Sequence, residues 1–282
     1  MPAGFRVDFL TGVCYTLSMK LKPPFTYQGN KTHYAKEILS HIDPEHDKSF
    51  YDLCCGSGAI SIELINQGFP PKSITMLDKG PWGLFWAEVG KGTFDLDRFA
   101  QYCRELPEPA DVKCHLEMLA ERPASLDTVC VFLLLQSGTF GGVAVWIENG
   151  RWAKQTGFRP YWTPTATSKC RYPTRTVPND LPKKVEAICE GLRGVRGLCA
   201  DIGDFRPGPG NVYIDPPYQG TGGYGHDFDV LKYAGRIGRC FVSEGRPLSA
   251  TAWQLGERKK ASAVYNGRGV APNQEWLSLI LP

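Results

Sequence analysis

The sequence predicts a mixed α/β protein with a parallel sheet, whose two parts are separated by a long insertion. Two observations support this class. Between residues 49 and 77, two short apolar strands flank a glycine-rich turn and a helix. Further short strands follow in the last third of the chain. Roughly a hundred residues of different character, 80–179, separate the two parts. Alternating strands and helices are typical of α/β proteins.

The first part consists of a strand (49–53), a turn, a helix (59–67) and a second strand (73–77). Apolar residues recur at helical spacing in the predicted helix, and Gly68 suits the left-handed position that follows a helix end. The second strand is followed by Asp78. Because strand–helix–strand connections are right-handed, we expect the two strands to lie parallel in one sheet.

The second part begins with a predicted helix over 181–192. Short strands are predicted after it, near Leu198 and over 212–214, 239–242 and 276–280. With 282 residues, 42% of them hydrophobic, the chain has enough apolar side chains for one large domain with an insertion.

Composition excludes several classes of protein. The ten cysteines include no Cys-x-x-Cys pair and the five histidines do not cluster near them, which argues against a zinc site. Free thiols favour a reducing cytoplasm. The longest apolar run, 129–135, is too short to cross a bilayer. Residues 1–19 are interpreted as a disordered or artificial extension rather than a signal peptide, since Asp8 interrupts their apolar patch and no cleavage site follows.

The turn after the first strand has the pattern of a nucleoside-binding loop. Asp52 is followed by Gly56 and Gly58, and Asp78 ends the next strand. Glycines allow a ligand to approach the backbone, and an acid at the end of the second strand binds ribose hydroxyls. The alternative is an ordinary tight turn.

A nicotinamide or flavin dinucleotide is one candidate ligand for this loop. However, Ser61 replaces the third glycine of that pattern, and Asp52 would repel a pyrophosphate. The Gly-Lys-Ser/Thr ending of a P-loop is also missing. S-adenosylmethionine carries no phosphate and has two positive groups, so a carboxylate favours it.

A rigid polar segment follows the β-prone run 211–214. Asp215, Pro216, Pro217 and Tyr218 are consecutive there. Proline has no N–H, so the neighbouring backbone carbonyls have no local hydrogen-bond donor. These carbonyls, together with the Asp215 carboxylate, can accept hydrogen bonds from an exocyclic amine. Tyr218 is suited to stack on the heterocycle that carries that amine. A proline-bounded turn without function is the alternative.

The stretch 149–179 contains no Asp or Glu but is rich in cations and aromatic residues. Its cations are Arg151, Lys154, Arg159, Lys169, Arg171 and Arg175, and its aromatic residues include Trp152, Phe158, Tyr161, Trp162 and Tyr172. Lys and Arg neutralise phosphates and aromatic rings stack on bases, so we predict a nucleic-acid contact. A solvated loop, or a surface for an acidic protein, is the alternative.

In this order the motifs resemble the Dam-type DNA adenine-N6 methyltransferases, over about residues 23–282. The segment 24–31, Pro-Phe-Thr-Tyr-Gln-Gly-Asn-Lys, is similar to the family's opening motif. The glycine loop, the second-strand acid, the insertion and Asp-Pro-Pro-Tyr follow in the family's order. The sequence Asp-Ile-Gly-Asp-Phe at 201–205, together with Tyr224 and Phe228, adds to the match. The chain departs from the family at 53–54, where Leu-Cys replaces the usual Pro-Phe.

The resemblance implies a Rossmann-like, S-adenosylmethionine-dependent methyltransferase sheet formed by residues 20–80 and 180–282, with 81–179 as a target-recognition insertion. It implies a DNA partner, double-stranded and with one base flipped, no metal, and a bacterial or phage-encoded enzyme of the cytoplasm. The implied cofactor-binding residues are Tyr27, Lys31, Asp52, Gly56, Gly58, Asp78, Asp201, Ile202 and Asp215. The implied catalytic residues are Asp215, Pro216, Pro217 and Tyr218.

By the same resemblance, the Asp215 carboxylate and the Pro216 carbonyl accept the two N6 hydrogens of a flipped adenine while Tyr218 stacks on it. Tyr27 and Lys31 are expected near the carboxylate of the cofactor, and the loop 220–225 is expected to close over the base. No Pro-Cys dipeptide is present, which excludes a cysteine nucleophile of the cytosine-C5 type. Three alternatives remain: a cytosine-N4 or RNA amino-methyltransferase, a nucleic-acid-binding protein whose cofactor site has decayed, and a dinucleotide oxidoreductase.

Overall fold

The structure, a computed structural model, describes residues 20–154, 156–159, 177–218, 228–258 and 273–282 together with two short strands before them. The strands are β1 (Arg6–Val7), β2 (Cys14–Tyr15), β3 (Phe50–Leu53), β4 (Ile74–Asp78), β5 (Val145–Glu148), β6 (Arg151–Lys154), β7 (Arg196–Cys199), β8 (Asn211–Ile214), β9 (Cys240–Glu244), β10 (Ala252–Arg258) and β11 (Asn273–Ile280). The helices are α1 (Ala35–Ile42), α2 (Ala59–Asn66), α3 (Pro81–Lys91), α4 (Leu96–Arg104), α5 (Val112–Ala120), α6 (Thr128–Gly138), α7 (Leu181–Gly191) and α8 (Val230–Ile237).

Seven strands form the central sheet in the order β10-β11-β9-β8-β3-β4-β7. All neighbours are parallel except that β11 runs antiparallel to both β9 and β10. The predicted α/β class with a parallel sheet is therefore confirmed. Two antiparallel pairs, β1–β2 and β5–β6, lie outside this sheet.

The order of the strands fixes where a ligand can bind. The first strand of the sheet, β3, lies in its interior; the chain adds β4 and β7 on one side and then returns to add β8 and β9 on the other. This is the 3-2-1-4-5 order of doubly wound sheets, with a switch point between β3 and β8. A crevice is expected outside the carboxyl ends of these two strands.

Apolar side chains cover both faces of the sheet. Within β8, Val212 and Ile214 belong to one buried cluster and Tyr213 to the other. This alternation follows from the two-residue period of a strand. All four residues of β3 and all four of β8 are buried, as expected for central parallel strands.

Two glycines bring α3 directly onto the sheet. A Cβ at Gly197 of β7 would lie 2.1 Å from the carbonyl carbon of Trp86, and one at Gly83 would lie 2.7 Å from the Cα of Cys199. Only glycine allows the two backbones to approach so closely. The first helix of the stretch 81–179 therefore packs against β4 and β7.

The remainder of this stretch contains α4, α5, α6 and the β5–β6 hairpin. The apolar run 129–135 lies within α6 and is entirely buried. Asp127, at the start of α6, accepts hydrogen bonds from Arg98 Nη2 at 2.7 Å and from the Tyr102 hydroxyl at 2.6 Å, which joins α6 to α4. Among the described residues, no helix combines the length and the apolar character needed to cross a membrane.

Candidate functional site

A cleft of about 1420 Å³ opens at the carboxyl edge of the sheet, at the switch point between β3 and β8. Most residues that the sequence assigns to catalysis or cofactor binding line this cleft. They are Tyr27, Lys31, Asp52, Gly56, Asp78, Asp201, Ile202, Asp215, Pro216, Pro217 and Tyr218. Their shared location follows from the topology, since the ends of parallel strands meet at one edge.

The glycine loop approaches the opening segment closely. Gly56 has a φ of +47°, and a Cβ there would lie 2.9 Å from the Tyr27 ring. The indole N–H of Trp86, a buried residue of α3, donates to the Gly56 carbonyl at 2.8 Å and so holds the loop in place. Gly56 therefore has both a conformational and a steric requirement for glycine.

Gly58 does not line the cleft. Its φ is +72°, and a Cβ there would lie 2.7 Å from both the Met76 side chain and the Trp86 ring. It occupies the position before α2. The structure thus gives Gly58 a packing role, whereas the resemblance implied a cofactor contact.

Asp78 connects two loops that line one end of the cleft. Its Oδ2 accepts the N–H of Gly56 at 3.0 Å, and its Oδ1 accepts the N–H of Gly80 at 2.9 Å. Asp78 therefore orients both the glycine loop and the turn that precedes α3.

Asp52 is buried and holds the first turn of α2. Its Oδ2 accepts the Ser61 N–H at 3.2 Å and the Ser61 hydroxyl at 2.6 Å. Burial raises the pKa of Asp52 to about 7, although the bonds from Ser61 oppose this rise. Ser61, the residue that breaks the dinucleotide pattern, is thus the partner of the loop's first acid.

This raised pKa predicts that the free energy of unfolding decreases as the pH rises. The folded protein binds the Asp52 proton more tightly than the unfolded chain does, so the stabilisation is complete below about pH 4 and is lost as the pH rises to about 7. We expect the melting temperature to fall between pH 5 and 7.5, and the fall to be smaller in Asp52→Asn. Calorimetry at several pH values measures it. The exposed Asp47→Asn should keep the wild-type fall; an unchanged fall in Asp52→Asn would contradict the assignment.

At the other end of the cleft, Lys31 is buried against the carboxylate of Asp215. Its Nζ lies 2.8 Å from Asp215 Oδ1 and donates to the Gly29 carbonyl at 2.9 Å. The same ammonium lies 4.8 Å from the centroid of the Tyr218 ring. The resemblance implied that Lys31 lies near the carboxylate of the cofactor, but the structure places it on the predicted catalytic acid.

The ion pair determines the charges at this end of the cleft. Burial lowers the pKa of Lys31, but the attraction of Asp215 and Glu275 outweighs it, and the pKa lies above its usual value. Burial raises the pKa of Asp215, and Lys31 counteracts part of that rise. Lys31 is therefore the group that compensates the buried charge of Asp215.

Two further acids, which the sequence analysis did not select, line this end of the cleft. The Tyr218 hydroxyl donates to Glu275 Oε1, and the same oxygen lies 3.8 Å from Lys31 Nζ. Glu244 ends β9 and is 4% exposed. The signal for Glu244 was available, because it follows an apolar strand just as Asp78 and Asp215 do.

The opening segment ties the site to the insertion. Asn30 Nδ2 donates to the Ser57 hydroxyl at 3.0 Å, and the Gln28 N–H donates to the Gly142 carbonyl at 2.8 Å. Beyond this contact, Trp146 of β5 lines the cleft, a residue that the sequence analysis did not select.

The acid and the apolar residue of the 201–205 motif have separate roles. Asp201 Oδ1 accepts the Gly203 N–H at 2.8 Å, and its Oδ2 pairs with Lys79 Nζ at 2.8 Å. Ile202 is buried and lines the cleft. The pair of Asp201 with Lys79 joins the ends of the neighbouring strands β7 and β4.

The predicted DNA-binding residues are divided by the structure. Arg151 and Lys154 are exposed on β6, but they share a surface groove with Glu117 and Glu121 of α5. The fold thus supplies the acids that the stretch 149–179 lacks.

Arg159 is partly buried and donates from Nη2 to the Ser137 carbonyl at 2.7 Å; burial also lowers its pKa. Lys169, Arg171, Arg175, Tyr224 and the loop 220–225 lie outside the described residues, as does most of 1–19.

No protein-family model matches the chain, and the comparison with curated proteins found no match either. In the part of the chain that the structure describes, no three His, Cys, Asp or Glu side chains are grouped so that they could hold a metal ion.

Proposed function

We propose that the protein is an S-adenosylmethionine-dependent DNA methyltransferase that acts on the N6 amine of adenine. The observation that carries the proposal is the arrangement of one cleft. A glycine loop with a second-strand acid, Asp78, lies at one end, and a carboxylate–proline–aromatic segment, 215–218, lies at the other. The first suits a nucleoside and the second suits an exocyclic amine.

The size of the cleft supports two ligands rather than one. Its volume of about 1420 Å³ exceeds the roughly 300–1,000 Å³ of typical small-molecule pockets. A methyl donor and an extruded base would occupy the two ends. Base extrusion is needed because the target amine of a duplex is otherwise inaccessible to an enzyme.

The charges of the cleft favour a cationic ligand over a pyrophosphate. Its lining carries more carboxyl than ammonium groups, although burial raises the pKa of two of the acids, Asp52 and Glu275, to about 7 and leaves these two partly charged at neutral pH. The acids are Asp52, Asp78, Asp201, Asp215, Glu244 and Glu275, and the ammonium groups belong to Lys22, Lys31, Lys79 and Lys184. The positive groups of S-adenosylmethionine are attracted to such a site, and the phosphates of a dinucleotide are repelled.

The residues of segment 215–218 can hold and orient an amine. Lys31 occupies Oδ1 of Asp215, while Oδ2 receives no hydrogen bond from the residues that the structure describes. Oδ2 and the Pro216 carbonyl would accept the two N6 hydrogens and direct the nitrogen lone pair out of conjugation. When bound, S-adenosylmethionine supplies the methyl group. Catalysis then depends mainly on positioning and charge complementarity.

The rim of the cleft suits a nucleic acid. Phe140 is 62% exposed in the turn whose next residue, Gly141, lines the cleft. Exposed apolar side chains next to a base-binding pocket can insert between bases. Arg151 and Lys154 lie outside the cleft, on β6 of the hairpin that follows this turn, and share their groove with Glu117 and Glu121.

The direct test is to incubate the purified protein with S-adenosylmethionine and either DNA or RNA. Digestion to nucleosides and mass spectrometry should reveal N6-methyladenine in DNA, and only when the cofactor is present. N4-methylcytosine, or methylated nucleosides in RNA alone, would replace the proposal with its nearest alternative. Nucleic-acid binding without any heat of S-adenosylmethionine binding in calorimetry would indicate a decayed cofactor site, and retained NAD would indicate an oxidoreductase.

A further inference from the structure

We propose that Glu275 is a positioning residue of the methyl-transfer site, which holds Lys31 and Tyr218 in a common arrangement around Asp215. The inference rests on the proposed function and assigns a role to a residue from the last strand of the sheet. Neither the motifs nor their spacing select this residue.

One carboxylate oxygen makes both contacts. Glu275 Oε1 accepts the Tyr218 hydroxyl and lies 3.8 Å from Lys31 Nζ. Lys31 in turn lies 2.8 Å from Asp215 Oδ1 and 4.8 Å from the Tyr218 ring centroid. Lys31 thus contacts the other three side chains, and Glu275 and Tyr218 also contact each other.

The arrangement explains how Lys31 can compensate the charge of Asp215 while Oδ2 of Asp215 remains accessible to the substrate amine. If Lys31 paired with Asp215 alone, the flexible ammonium could move between its two oxygens and compete with the substrate amine for Oδ2. Glu275 Oε1, 3.8 Å from the ammonium, also attracts it, and the Gly29 carbonyl accepts a hydrogen bond from it at 2.9 Å. Lys31 is thereby held on Oδ1, and Oδ2 is left for the amine.

The same carboxylate fixes the aromatic ring. A tyrosine that stacks on a base must keep its plane, and a hydrogen bond from its hydroxyl limits the rotation and tilt of the ring. Tyr218 directly follows two prolines, which stiffen the backbone, and Glu275 restrains the opposite end of the side chain. Both ends of Tyr218 are therefore restrained.

The reversed direction of β11 places Glu275 in the cleft. In the parallel strands, the cleft lies at the carboxyl ends, but β11 is antiparallel and presents its amino-terminal residues to the same edge. Glu275 is the third residue of β11, and its neighbour Trp276 pairs with Glu244 at the end of β9.

The experiment is a double-mutant cycle between Glu275→Ala and Tyr218→Phe, measured as kcat for adenine methylation and as S-adenosylmethionine affinity. We expect Glu275→Ala to lower kcat roughly tenfold to a hundredfold, because small misplacements of reacting groups are costly. Cofactor affinity should change less than about twofold, which separates positioning from a general loss of structure. In the Tyr218→Phe background, Glu275→Ala should cost clearly less.

Glu275→Gln keeps an acceptor for the Tyr218 hydroxyl but removes the charge, so we expect partial recovery of kcat relative to Glu275→Ala. It also serves if the alanine variant does not fold. Glu186→Gln, at an exposed position of α7 that does not line the cleft, is the matched control.

A Glu275→Ala variant with wild-type kcat, or fully additive losses in the cycle, overturns the inference. Failure of the proposed function looks different, since the wild-type protein itself would then methylate nothing. In that case the same cycle, measured on the free energy of unfolding, decides whether Glu275 and Tyr218 are coupled; additive values there reject the link.

Discussion

Replacing Asp215 with asparagine is expected to lower the proposed adenine methylation by about a hundredfold to a thousandfold, the loss typical of removing one key stabilising group. The variant loses the charge that pairs with Lys31 at 2.8 Å and the acceptor proposed for the N6 hydrogen. An amide can turn its NH₂ group toward the amine, which then meets a donor instead of an acceptor. Rates of N6-methyladenine formation under saturating cofactor measure the effect.

Cofactor binding separates catalysis from folding in this variant. Asp78 and the glycine loop are unchanged, so S-adenosylmethionine affinity by calorimetry should stay within a few-fold of wild type. Asp47→Asn, at an exposed position, is the matched control and should keep full activity. An Asp215→Asn protein that retains more than about a tenth of the activity would remove Asp215 from the mechanism.

Replacing Lys31 with methionine is expected to destabilise the protein by about 3–5 kcal/mol, the usual cost of removing one partner from a buried ion pair. The Lys31 side chain is 5% exposed and that of Asp215 is 19% exposed, and Glu275 Oε1 lies 3.8 Å from the ammonium. Without Lys31, two carboxyls at this end of the cleft lose their nearest cation. Methionine fills a similar volume, so the loss reports charge rather than a cavity.

The loss in Lys31→Met should depend on pH. Burial already raises the pKa of Glu275 to about 7, and that of Asp215 lies above its usual value even with Lys31 present. Without Lys31 both pKa values rise further, so both groups take up protons on folding at mildly acidic pH. A carboxyl with a raised folded pKa loses stabilisation as the pH rises, so the variant should be less impaired at pH 5.5 than at pH 8.

Urea unfolding at the two pH values measures this difference. Lys113→Met breaks an exposed pair with Glu117 on α5 and should cost only about 0.3–0.5 kcal/mol, with little dependence on pH. A loss in Lys31→Met no larger than this control would show that the buried pair does not contribute to stability. Equal losses at pH 5.5 and pH 8 would contradict the assigned charges.

The parallel-sheet part of the fold was predictable because its signals are local. The apolar strands over 49–53 and 73–77, the helix between them and the stop at Gly68 correspond to β3, β4 and α2, and the structure confirms them. β10 was not predicted, since its sequence, Ala-Trp-Gln-Leu-Gly-Glu-Arg, has a glycine inside it and little alternation. β10 is an extended strand because its backbone pairs with that of β11, a contact that its own sequence does not reveal.

The predicted DNA-binding surface shows the limit of counting charges along the chain. The stretch 149–179 has no acid of its own, but Glu117 and Glu121 of α5 lie in the groove with Arg151 and Lys154. Arg159 is bonded to a backbone carbonyl and is partly buried. The composition of a stretch counts only residues that are adjacent in sequence. The electrostatic potential at a surface depends on all charged residues that are close in space.

By itself, the sequence determined the α/β class, the glycine loop between two acids and the stiff segment Asp215–Tyr218, because strands, turns and proline restraints depend on adjacent residues. The tertiary structure alone decided that Lys31 pairs with Asp215 and that Glu275 completes the group. These residues are far apart in the chain. Crossovers and a reversed last strand bring them to one edge of the sheet, and no local pattern encodes that order.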